Sequence, residues 1–80
     1  MPDGQSMIAA HAEVLRRDAQ ALTACTERLR AIEAALEAAG AAPPWLRAAV
    51  HAHCAACVTA AADLRTAVRH LLEYAEQASR

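Results

Sequence analysis

The sequence predicts an all-α fold, an antiparallel two-helix hairpin expected to dimerise into a four-helix bundle. Three observations carry that prediction. Between Met7 and Ala39 there is no Pro or Gly, and apolar residues return there every seven positions. After Pro44 the same pattern resumes and runs to Ala78. Between these stretches lies a short break, Gly40-Ala41-Ala42-Pro43. Gly40 tolerates the left-handed backbone that ends a helix, and Pro44 suits the first position of the next.

The elements follow in order. Residues 1–5 read as a short disordered lead, and Ser6 reads as the N-cap of the first helix, its hydroxyl accepting from free amides of the first turn. The first helix is placed at 7–39, about 50 Å long at 1.5 Å per residue. In it Ile8, Leu15, Leu22, Leu29 and Leu36 recur at a spacing of seven. Cys25, Ile32 and Ala39, three residues further on, complete the expected seam, and such a strict repeat implies a left-handed supercoil against another helix. His11 and Asp18 hold the same companion positions in the first half. Solvent at the open end of the hairpin accounts for them, and a polar contact fixing register with a partner helix is the alternative.

A turn at 40–43 leads to the second helix, placed at 44–78. There Val50, Cys57, Leu64, Leu71 and Ala78 repeat at seven, with Leu46, His53, Ala60, Ala67 and Tyr74 as companions. Cys54, Ala61, Val68 and Ala75 widen the stripe. Glu13–Arg17, Arg69–Glu73 and Glu76–Arg80 are helical pairs four apart, worth a few tenths of a kcal/mol each on an exposed face, of order ~0.3.

Composition bounds the function. The chain has 80 residues, one small domain, with no Phe, Asn or Lys and an abundance of Ala. That bias suits a GC-rich genome and favours helix throughout. A formal net charge of −1 gives no reason to expect nucleic acid or an anionic membrane as partner. Trp45 and Tyr74 are the only aromatics, so a base-stacking surface is absent. The first residues lack a basic region followed by an apolar run, and no apolar stretch approaches a membrane span. Cys25, Cys54 and Cys57 are odd in number and too few for a disulfide scaffold, which fits reduced thiols in a chain made in the cytoplasm.

Burial then argues for association. Two helices share one seam and leave the outer part of each stripe wet, and a hairpin of this size encloses a small core. A second hairpin is the simplest cover, giving a homodimer or a heterodimer with a related chain. The residues expected at interfaces within and between hairpins are Ile8, Leu15, Leu22, Leu29, Ile32, Leu36, Trp45, Val50, Leu64, Val68 and Leu71.

His51-Ala-His53-Cys54-Ala-Ala-Cys57 holds the only candidate chemistry. His53 and Cys57 lie four apart on one helical face, and an antiparallel hairpin turning near residue 41 brings Cys25 about opposite Cys57. Those three form a candidate soft site for zinc or cuprous copper. Packing explains them more simply, since Cys25 and Cys57 fall on seam positions and Cys packs as a small hydrophobe. No metal or cofactor is therefore expected. With no nucleophile elbow, paired-carboxylate pattern or Gly-rich phosphate loop, the chain reads as a non-enzyme. Trp45 is expected to cap the closed end against Leu36 or Ala39, with an exposed anchor for a partner as the alternative.

A long Ala- and Leu-rich helix, a short turn carrying Trp45, and a second long helix resemble the WXG-motif helical hairpins, the small ESX-type proteins of type VII secretion in actinobacteria and related bacteria. Pro44-Trp45-Leu46-Arg47-Ala48-Ala49 lies where that family has Trp-x-Gly followed by small residues. Arg47 replaces the glycine, and the family's export signal, Tyr followed four residues later by an acid, meets Ala78 after Tyr74. The resemblance implies a dimeric four-helix bundle acting either as a secreted partner, exported without a signal peptide, or as an adaptor escorting a larger secreted protein. Trp45 carries over as the turn tryptophan. The competing expectations are a metal-binding bundle and a purely structural dimerisation module.

Overall fold

In the computed structural model, which describes residues 3–79, the chain is two long helices folded back on each other. They are α1 (Gly4–Ala38) and α2 (Leu46–Ala78). They form a rod of 60 × 19 × 13 Å with a radius of gyration of 18.0 Å. A compact chain of this length has a radius near ~12 Å, so the hairpin is markedly elongated.

The first helix starts earlier than expected, and part of the predicted lead belongs to it. Asp3, not Ser6, is the N-cap: its carboxylate accepts the Ser6 backbone N–H at 2.7 Å. The backbone hydrogen bond from Ser6 holds the Asp3 carboxyl below the usual carboxylate range. Residues 1 and 2 of the predicted lead lie outside the described residues.

The closed end forms as the glycine requires. Gly40 has φ +68°, its amide donates to Glu37 O at 3.0 Å, and the Ala41 amide donates to Leu36 O at 2.8 Å. That pair of bonds is a Schellman motif, satisfying two carbonyls the helix leaves free. The second helix begins two residues later than Pro44 suggests. Pro44 and Trp45 make a turn, Leu46 N–H reaches only to Pro43 O at 3.1 Å, and Trp45 is an N-cap without a side-chain bond.

Packing corrects the expected seam. Ile8, Leu15, Leu22, Leu29 and Leu36 are half-buried along the contact as predicted. Their buried companions, however, are Ala12, Ala19 and Thr26, four residues on; of the row three residues on, His11, Asp18, Ile32 and Ala39 are exposed and Cys25 is half-buried. In α2 the widening row expected from the sequence is inward, with Cys54 and Ala61 buried and Val68 and Ala75 half-buried beside Val50, Cys57, Leu64 and Leu71. Of the expected companions, Leu46, Ala60 and Ala67 are half-buried. His53 and Tyr74 are exposed. Size decides between the two registers. Ala19 is fully buried, and Ala and Thr let the backbones approach where His, Asp and Ile would hold them apart.

The buried polar groups are satisfied within this seam. Thr26 Oγ1 donates to Leu22 O at 3.1 Å, and the Cys54 thiol lies 3.8 Å from Thr26 O across the pair. At the open end Gln5 Nε2 donates to Ala75 O at 3.1 Å. Among the described residues no buried side-chain N or O lacks a partner. Glu13 pairs mainly with Arg16 and more loosely with Arg17 at 3.5 Å, and Arg69–Glu73 stands at 3.8 Å. Arg80, the partner expected for Glu76, lies outside the described residues.

Candidate interaction surface

The seven-residue repeat has two flanks, and each flank of α1 meets the like flank of α2 on one broad face of the hairpin. Residues directly after the seam positions make the first face. There Thr23, Arg30 and Glu37 of α1 lie beside His51, Val58 and Arg65 of α2. Arg65 Nη2 donates to Thr23 Oγ1 at 3.1 Å, and Arg47 reaches Glu37 at 3.8 Å. With Glu13 and Glu27 this is a charged face, crossed by an open furrow between Glu37 and Val58.

Residues three after the seam positions make the opposite face by the same helical geometry. From α1 come His11, Asp18, Cys25 and Ile32, and from α2 come His53, Ala60, Ala67 and Tyr74. The positions directly before the seam extend it with Met7, Val14, Ala21 and Ala35, and with Ala49 and Ala56. Among the described residues only Asp18, Arg28 and Asp63 carry a formal charge on this face. The remainder is apolar, aside from His11, His53, His70 and Gln77. Met7, Val14 and Ile32 are about half exposed there, and Tyr74 is 64% exposed.

The predicted interface residues therefore divide. Ile8, Leu15, Leu22, Leu29, Leu36, Val50, Leu64, Val68 and Leu71 lie along the contact between the two helices. Ile32 does not; it stands on the apolar broad face at 53% exposure. Trp45 is 65% exposed at the closed end, so the expected capping contact is not made. Met7 and Val14 were not anticipated, although each directly precedes a seam residue and so repeats with it.

The thiols and His53 do not form the site their spacing suggested. Cys57 is buried in the seam, Cys25 is half-buried on the apolar face, and His53 is exposed on it. Among the described residues no three His, Cys, Asp or Glu side chains converge to hold a metal ion. The spacing of four between His53 and Cys57 spreads across the edge of the seam, one inside and one out. The buried partner of Cys57 in the seam is Cys54, three residues before it.

No described helix is long and apolar enough to cross a membrane. Comparison of the chain with known protein families, characterised proteins and solved structures finds no match.

Proposed function

We propose that this chain is a non-enzymatic interaction protein that pairs with a second helical hairpin, its own copy or a related chain, to complete an antiparallel four-helix bundle. The observation that carries the reading is the apolar broad face, which leaves Met7, Val14, Ile32 and Tyr74 in solvent. The surface area points the same way. The hairpin exposes 5786 Å², against about 4,650 Å² for a compact protein of 8.5 kDa. A second hairpin laid on the apolar face removes much of that excess, and bundles of this kind bury a wide stripe on each helix.

Within that reading the chain works as a type VII secretion partner or adaptor, made in the cytoplasm and escorting or accompanying a larger secreted protein. Two features support it: the hairpin form and the exposed Trp45 at the closed end, standing where the family's turn tryptophan stands. A purely structural dimerisation module is the alternative use of the same face.

Light scattering with far-UV circular dichroism on the purified chain tests the pairing. A helical species of twice the chain mass supports it. A well-folded monomer at high concentration that no co-expressed hairpin binds overturns it. Secretion is tested separately in a host with a type VII apparatus. Appearance of the chain or its partner in the medium only while the apparatus works supports the adaptor reading, and retention of both favours the structural module.

A further inference from the structure

We infer that the partner is a second copy of this chain, packed apolar face to apolar face with the closed ends at opposite ends of the bundle, and that Asp18 pairs with Arg28 of the other copy. The inference rests on the pairing proposed above and adds partner, face and register.

The self-match is visible along α1. Its outward stripe is symmetric about position 23, so a two-fold axis there sets each residue against a defined counterpart. Val14 meets Ile32 of the partner, Asp18 meets Arg28, and Ala21 meets Cys25. In these three pairs apolar falls on apolar and acid on base, His11 further out meets Ala35, and the centre holds small side chains that allow close approach. On α2 the centre is again small, Ala56 and Ala60. Tyr74, near the open end, comes against the partner's closed end.

The other two-fold arrangement, with both closed ends together, sets α1 against the partner's α2 at equal height. Gln5 lies beside Ala75 and Thr26 beside Cys54, which fixes the heights within one hairpin. By that register Asp18 would stand within one residue of the level of the partner's Asp63. Two carboxylates would face each other on either side of the axis, which disfavours the arrangement. The area suffices for the first: a face of 60 × 19 Å offers roughly 1,100 Å², and a stable interface needs about 800 Å² per partner.

A charge swap tests it, read as the dimer dissociation constant by analytical ultracentrifugation. Asp18→Arg and Arg28→Asp each place two like-charged pairs across the axis and are expected to weaken the dimer about tenfold. The double variant restores it to within about threefold of the unmodified chain. Both positions are exposed, so each single variant keeps its helicity. Ala21→Cys supplies a second readout, since it sets a thiol opposite the partner's Cys25; mild oxidation then yields a covalent dimer, and adding Cys25→Ala abolishes it. A dimer that ignores all three changes overturns this register while leaving hairpin pairing intact. A chain that stays monomeric alone and dimerises only with a different hairpin overturns the self-pairing.

Discussion

The two broad faces of the hairpin come from the same two helices and the same repeat, yet they differ in chemistry. On one, Glu13 pairs with Arg16, Glu37 with Arg47, and Arg65 donates to Thr23, with Glu27 and Arg30 beside them. On the other, alanines and Met7, Val14, Ile32 and Tyr74 leave only three formal charges among them, Asp18, Arg28 and Asp63. Charged side chains satisfied by water gain nothing from being covered, whereas exposed apolar area does. A helical pair of this size thus shows by its charge distribution which broad face is well solvated and which leaves apolar area uncovered.

The strongest way to break the comparison is to remove the platform both faces share. Leu22→Asp or Leu64→Asp puts a carboxylate against the seam and strips away packing that large-to-small changes value at about 2–5 kcal/mol. A hairpin of this size has about that much stability in total. Circular dichroism melts of both variants are expected to show unfolding or dissociation; unchanged melts would sink the seam.

A smaller effect separates the faces themselves. Ile32→Ser with Tyr74→Ser removes apolar area from one side, and Val58→Ser with Leu72→Ser removes a comparable amount from the other. The first pair is expected to shift the mass by light scattering from dimer toward monomer, and the second to leave it unchanged. Equal responses would erase the distinction between the faces.

The smallest effect lies at the open end, away from both faces. Asp3 has its folded pKa lowered by the Ser6 amide, so its contribution is present above the unfolded carboxylate value near ~3.9 and fades as pH falls through the lower folded value. Asp3→Ala is expected to fray the first turn slightly at neutral pH. At a pH below the folded pKa the difference from the parent should vanish in amide hydrogen exchange of Gln5 to Met7. A difference that persisted there would mean the cap acts by other than its charge.

Much of the fold was legible in the chain. A seven-residue repeat on both sides of a Gly–Pro–Pro break has few outcomes other than a hairpin, because periodicity dictates which side chains share a stripe and Gly40 dictates where the helix stops. The helix start was missed because Asp3 and Ser6 are both good caps, and nothing local ranks one above the other. The candidate interface was half legible. Ile8, Leu15, Leu22, Leu29 and Leu36 announce a stripe, but they do not say which of their two neighbouring rows turns inward.

The sequence by itself determined two helices, their lengths within a few residues, the place of the turn and the excess of apolar surface. Tertiary structure decided the rest. It turned the row of Ala12, Ala19 and Thr26 inward and the row of His11, Asp18, Cys25 and Ile32 outward, parted Cys25 and His53 from Cys57, and left Trp45 in solvent. The physical reason is close packing between two backbones: the row with the smallest side chains permits the nearest approach, and only a neighbouring helix makes that difference count.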